Sequence, residues 1–292
     1  MVLAWVCAAG LALAGCPQID RVSPGLANAG AVIDLRDPAG KSLGFSGTVF
    51  FGEFPVPADQ VLSWSQTDIF LRVPALESGS WPVRVVAGGV AGNVVDFELL
   101  PAPARLRVLC FGDSFTYRSY PGILQSLPWG DHEPTAVINQ GKPGERLAFA
   151  GDRFADTVAY HHDGGDLDFI VLMEGTNDLS DTSGIGLTAM QASLDRMIGA
   201  VPPGVRVILA TLLPRVDSCG DQESPATREW NEWLANFAAS RGIPLVDTYG
   251  DFVSRVNWAS VYYDEDDCLH PNQQGYERIA ALFQAAILGF LP

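Results

Sequence analysis

From residue 105 onward the chain alternates short apolar runs with segments of helical period, and few folds accept that pattern. The apolar runs are Arg105–Phe111, Thr135–Asn139, Leu167–Met173, Val205–Ala210 and Pro244–Val246. They are short and rich in Val, Ile and Leu, as strands covered on both faces are. Helix candidates lie between them, near 119–128, 145–161, 186–200 and 224–241. A last run sets Tyr276, Ile279, Ala280, Phe283 and Ile287 at helical spacing behind the start signal Asn272-Gln-Gln-Gly275. The expectation is α/β: a doubly wound, mostly parallel five-stranded sheet.

Ligands of such sheets sit beyond the carboxyl ends of the strands. The first strand ends in Gly112-Asp113-Ser114, a turn that sets a hydroxyl at the sheet edge just before a helix. The second ends in Asn139-Gln-Gly-Lys-Pro-Gly144, with glycines that allow a close backbone approach to a ligand. The third ends in Glu174-Gly-Thr-Asn-Asp178. After the fifth comes Asp264-Glu-Asp-Asp-Cys-Leu-His-Pro271, which puts Asp267 three residues before His270.

Of the four histidines, His132, His161 and His162 adjoin acidic or glycine-rich turns and read as solvated. His270 alone combines a nearby Asp with a position after the last strand. Acyl transfer needs a nucleophile, a base, an acid that orients the base, and oxyanion donors. Ser114, His270, Asp267 and the two remaining loops can supply them. Asp113 reads as a brace for its turn. Gly141-Lys-Pro-Gly144 lacks the spacing of a nucleotide loop, and the Asp264–Asp267 run lacks the glycine and terminal glutamate of an EF-hand.

Residues 105–292 resemble the SGNH/GDSL hydrolases. Ser114 matches the serine of the GDS block, Gly144 the glycine of N-x-G-x-x-G, Asn177 the asparagine of G-x-N-D, and Asp267 with His270 the D-x-x-H block. The stretch Leu269-His-Pro-Asn-Gln-Gln-Gly-Tyr-Glu-Arg-Ile-Ala280 is similar to the helix that follows. The resemblance implies a flavodoxin-like sheet and a serine esterase without metal or cofactor. Its catalytic residues would be Ser114, Asp267 and His270, and its oxyanion hole the N–H groups of Ser114 and Gly144 with the Asn177 amide. Asp178 would tie its loop to backbone. Glu174 departs from the small or apolar residue more usual there. The implied partner is an ester, such as an acetylated glycan or short lipid ester. Alternatives are acyl transfer to a carbohydrate, or a non-catalytic surface binding protein.

Residues 17–100 contain no convincing helix and are cut by Pro and Gly into β-like runs: Thr48–Gly52, Asp68–Val73, Trp81–Val86 and Asn93–Leu99. In the last, Val95, Phe97 and Leu99 alternate with Val94, Asp96 and Glu98, the period of a half-buried strand. Ala87-Gly-Gly-Val-Ala-Gly92 supplies the bend before it. The stretch resembles an IPT/TIG immunoglobulin-like sandwich, through Pro17-Gln-Ile-Asp-Arg-Val-Ser-Pro24, Val49-Phe-Phe-Gly-Glu53 and Ile69-Phe-Leu-Arg-Val-Pro74. Trp64 and Trp81 read as core, with sugar stacking as the alternative. Pro101–Ala104 is a stiff linker.

Residues 1–16 are apolar, rich in Ala, and too short to span a bilayer. Leu13-Ala-Gly-Cys16 resembles a lipobox, which implies export, acylation of Cys16 and a membrane anchor, or plain secretion as the alternative. No basic residue precedes the apolar run, unlike an ordinary signal. The expected domains are therefore a signal at 1–16, a β-sandwich at 17–100, a linker at 101–104 and a hydrolase domain at 105–292. Cys110 lies in the first strand and reads as buried. Cys219 and Cys268 lie in polar loops after the fourth and fifth strands, and an oxidising compartment would let them form a disulfide. The net charge of −16 and pI near 4.5 argue against nucleic acid, whose phosphates need a basic surface.

Overall fold

The computed structural model describes residues 5–6, 16–37, 43–163, 167–179, 184–214, 225–264 and 267–292. Two compact units divide the chain. The first is Met1–Leu106 with His132–Ile138, and the second is Arg107–Asp131 with Asn139–Pro292.

Among the described residues of 21–100 the structure is β-strand apart from loops and one 3₁₀ turn, Ala58–Gln60. Strands Arg21–Ser23, Val32–Arg36, Asp68–Arg72 and Val61–Trp64 form one antiparallel sheet, in that order. A second sheet is built on the antiparallel pair Gly79–Ala87 and Val90–Leu100, with Thr48–Phe51 beside Gly79–Ala87. Gly88 and Gly89 both have positive φ, 57° and 80°, as a two-residue hairpin turn requires. The expected alternation is present: Phe97 and Leu99 are buried while Val94, Asp96 and Glu98 are exposed. Ile33, Leu35, Val49, Phe51, Ile69, Leu71, Val83 and Val85 complete the core. Trp64 and Trp81 pack against it half-buried, and their indole N–H groups donate to the carbonyls of Gly44 and Glu77.

The second sheet system is the expected α/β one. Its strands are β1 (Leu106–Gly112), β2 (Thr135–Gly141), β3 (Phe169–Met173), β4 (Arg206–Ala210) and β5 (Leu245–Val246), in the order β2-β1-β3-β4-β5. The pairs β1–β3, β3–β4 and β4–β5 are parallel. Every residue of β1, β2 and β3 is buried, which explains their largely apolar runs. Strand order reverses between β1 and β3, so the switch-point crevice opens beyond Gly112 and Met173.

The helices are α1 (Ser114–Arg118), α2 (Tyr120–Ser126), α3 (Gly151–His161), α4 (Leu187–Gly199), α5 (Pro225–Arg241), α6 (Thr248–Val253), α7 (Trp258–Tyr262) and α8 (Gln273–Leu288). Helix α8 buries Tyr276, Ile279, Ala280, Phe283 and Ile287, the expected face. The helix expected over 145–161 starts only at Gly151. The N–H groups of Leu147 and Ala148 bond the Asp178 carboxylate at 2.8 and 3.0 Å, and a 3₁₀ turn, Leu147–Phe149, forms in place of the first helical turns. Between β5 and His270 the chain makes α6, α7 and a hairpin of β6 (Tyr263–Asp264) with β7 (Asp267–Pro271), where only a loop was expected. These pieces are too short to carry a hydrophobic period.

His161 corrects the solvated reading. It lies on the inner face of α3, 1% exposed, with Nε2 3.3 Å from Gln140 Nε2. Cys110 is buried and free, its thiol pushed up to about 12 by burial. Cys16 is buried and takes part in a disulfide. Cys219 and the side chain of Cys268 lie outside the described residues, as do the side chains of 1–15, so their expectations rest on sequence. Among the described residues no helix is long and apolar enough to cross a membrane.

Candidate active site

Three loops and one hairpin converge at the switch point. Gly112 closes β1, where a Cβ would meet the Met173 carbonyl and Thr116 Oγ1, each at 2.2 Å. Only glycine therefore lets the strand turn into α1 there. Asp113 caps that helix, its Oδ1 accepting the Phe115 N–H at 3.0 Å, so it braces the turn as expected. Burial pushes its carboxyl up to about 7, against the N–H of Phe115 and the influence of Thr176. Ser114 then opens α1, where first-turn N–H groups have no acceptor within the helix.

The hairpin brings Asp267 and His270 to the same place. His270 Nε2 lies 2.9 Å from Ser114 Oγ, and its Nδ1 lies 2.9 Å from Asp267 Oδ2. Asp267 Oδ1 also accepts the backbone N–H groups of His270 (3.0 Å) and Leu269 (3.2 Å), which fixes the carboxylate against its own strand. The Phe115 ring packs on the imidazole at 5.4 Å between centroids. Burial pushes the Asp267 carboxyl up, but the bonds from His270 and Leu269 outweigh it and hold it below the usual carboxylate range. Burial holds the His270 imidazole below its ordinary value; the Asp267 bond opposes this and the Arg118 charge adds to it.

The β2 and β3 loops complete the site. Gly144 has φ +73° with open space around it, a conformation that strains any other residue. Asn177 donates through Nδ2 to the Glu145 carbonyl at 2.8 Å, which orients its amide. Asp178 holds the same loop by the two N–H bonds to Leu147 and Ala148. Gly141 serves a purpose other than the expected approach to a ligand. A Cβ there would lie 1.9 Å from the Tyr117 nitrogen, so the glycine lets the loop lie against α1. Asn139 fastens it, accepting from Gly141 N at 3.0 Å and donating to the Tyr117 carbonyl at 3.2 Å.

Ser114, His270 and Asp267 therefore meet in one hydrogen-bonded row, while Gly144 and Asn177 lie on the β2 and β3 loops, which the bond from Asn177 to Glu145 ties to each other. Arg118 was missed. Its Nη1 donates to Asp267 Oδ2 at 3.1 Å, and its place one helical turn after Ser114 was the available signal. Arg153 was missed too: it clamps Glu145 through Nε (2.7 and 2.8 Å) and covers the Phe111 ring at 3.9 Å. Among the described residues no group of His, Cys, Asp and Glu could hold a metal ion.

Residues 110–278 match the family model described as GDSL-like lipase/acylhydrolase. A lipase/acylhydrolase from Enterococcus faecalis superposes with a TM-score of 0.52 at 26% identity, over 63% of this chain and 96% of that one. The inhibitor-bound aryl esterase of M. smegmatis gives 0.53 at 16%, over 64% and 100%. A different match is to a cyclomaltodextrin glucanotransferase from Niallia circulans, 38% identical over 87 residues. That match covers 29% of this chain and only 12% of the relative.

Proposed function

The chain belongs to the GDSL-like lipase/acylhydrolase family, and from that premise we propose that it is a serine esterase that works through an acyl-enzyme. The observation that carries the reading is the unbroken row Ser114 Oγ, His270 Nε2, His270 Nδ1, Asp267 Oδ2, with 2.9 Å at both hydrogen bonds. In the proposed reaction Ser114 Oγ attacks the ester carbonyl carbon while its proton passes to His270 Nε2. Asp267 keeps the Nδ1 tautomer and stabilises the imidazolium. The oxyanion is met by the N–H groups of Ser114 and Gly144 and by the Asn177 amide. A primary amide has two N–H bonds, so the bond to Glu145 sets the direction of the other. His270 returns its proton to the leaving alkoxide, then activates a water that releases the acid and frees Ser114.

Asn177→Ala tests the oxyanion role alone. It should lower kcat by about 10²–10³ with KM little changed. An effect on KM only would move Asn177 from the oxyanion to substrate binding.

We assign the substrate to short acyl esters, with acetylated glycans foremost. Supporting this are the expected export and the partial likeness to a relative whose name refers to a carbohydrate. p-Nitrophenyl esters of increasing chain length, run beside acetylated xylan and acetylated peptidoglycan, test it. Turnover should be greatest for acetyl and fall with chain length; a preference for long acyl chains would reverse the assignment. Acyl transfer would show as acylated sugar in place of free acetate.

The export reading predicts that full-length protein fractionates with membranes and that Cys16→Ala releases it. Acylation would occupy the sulfur that this structure places in a disulfide, so the two states exclude each other. Intact mass of the mature protein decides: a diacylglyceryl adduct on Cys16 supports the anchor, and a Cys16 disulfide replaces it.

A further inference from the structure

Glu174 is a buried carboxylate beside the site for which the mechanism above has no use. It follows β3 directly, and Asp113 follows β1 directly. The register pairs Gly112 with Met173, so Asp113 and Glu174 are the residues that follow at the carboxyl end of the parallel pair, and Asp113 is the charge that acts most on Glu174. Both are buried, at 0% exposure for Asp113 and 4% for Glu174. Asp113 Oδ1 is taken by the Phe115 N–H. Both Glu174 oxygens have no hydrogen-bond partner, and Asp113 Oδ2 has none of good geometry, although the backbone N–H and hydroxyl of Thr176 lower the Asp113 carboxyl.

Two adjacent buried carboxylates cannot both stay ionised, because desolvation and mutual repulsion each favour a proton on one of them. The other charges nearby do not change this. Glu145 from the β2 loop and Asp178 from Glu174's own loop add repulsion. Arg153 from α3 opposes it, but its guanidinium is already committed to Glu145. The phenols Tyr120 and Tyr276 also face Asp113, and both are held above their ordinary range, chiefly by burial. Burial first, and Asp113 second, raise Glu174 well above a normal carboxyl.

We propose that Glu174 and Asp113 hold one proton between them and so clamp the loop that carries Asn177 to the turn that carries Ser114. Glu174 is then a positioning residue: it touches no substrate but sets the distance between nucleophile and oxyanion donor. The proposal rests on the esterase reading for its kinetic consequence, though not for the proton itself. Removing the shared proton puts two anions side by side, so kcat should fall reversibly as pH rises through the pair's upper titration. The sign for stability agrees. A carboxyl whose pKa is raised on folding costs stability as pH climbs from the unfolded value toward the folded one.

The experiment compares wild type, Glu174→Gln and Glu174→Leu in the whole protein. Glu174→Gln keeps a neutral donor toward Asp113. It should move the alkaline limb of kcat upward and gain Tm over wild type increasingly as pH rises. Glu174→Leu should lower kcat by about tenfold, the equivalent of one net hydrogen bond, without moving KM. Equal activity in both variants, with the wild-type alkaline limb retained, would overturn the proposal by reducing Glu174 to packing. If neither variant folds, infrared spectroscopy of wild type at neutral pH decides. A protonated-carboxyl C=O band is expected, and its absence overturns the proposal. The Tm and infrared readouts need no turnover, so a failed esterase reading and a failed proton pair give different results.

Discussion

Ser114→Ala should abolish ester turnover to within a small residue of catalysis while the protein stays folded. The loss expected for a missing acyl-enzyme nucleophile is about 10⁴–10⁶ in kcat, with only oxyanion binding and proximity left. The next hydroxyl along the chain is not placed to take over. Thr116, two residues on, is fully buried and its Oγ1 lies 3.3 Å from the Tyr120 hydroxyl. Ser114 itself is only half-buried, and the substitution removes a single oxygen. Stability should therefore change by about 0.5 kcal/mol or less, as at other sites away from the core. Thermal melting beside a kcat measurement checks both halves. Turnover that survives in the purified variant would end the serine-esterase account.

His270→Ala should cost a similar factor, because serine and base act as a unit and their losses do not add. The double variant should accordingly be no worse than either single one by more than about tenfold. The pH dependence of wild type carries the same information. His270 must be neutral to accept the Ser114 proton, and burial holds its pKa below the ordinary value. Activity should persist as pH falls past about 6.5, the usual imidazole value, and be lost only below it. Asp267, held low by its bonds from His270 and Leu269, stays ionised across that window. Arg118→Gln removes the charge that helps to depress His270, so the acid limb of kcat/KM should move upward. A limb that stays in place would remove Arg118 from the electrostatics of the base.

Much of this arrangement was legible in the chain because its signals are local. Gly112-Asp-Ser114 is a turn, Asp267 and His270 lie three residues apart, and the strands of the sheet are largely apolar runs. What was not legible depends on contacts between distant segments. Nothing near His161 announces that it is buried and meets Gln140 on another element. Asp178 delays the start of α3 from some 30 residues away, by taking N–H groups that a helix would otherwise have used. Helices α6 and α7 and strands β6 and β7 span six residues or fewer each, below the length at which a period can be read. Glu174 stood out in the sequence as a departure, but its meaning comes from the strand register that sets it beside Asp113. In the β-rich stretch the alternation at 94–99 was enough, because one face meets a core and the other does not.

The central claim is that Ser114, activated by His270, is the atom that takes the acyl group. A fluorophosphonate probe tests it without knowledge of the natural ester, since an activated serine displaces fluoride and keeps the phosphonyl group. Intact mass followed by peptide mapping should show one adduct per chain, on Ser114, formed by the folded protein and not after denaturation. The reaction should be lost in His270→Ala. An unlabelled native protein, or an adduct on a different residue, would contradict the account.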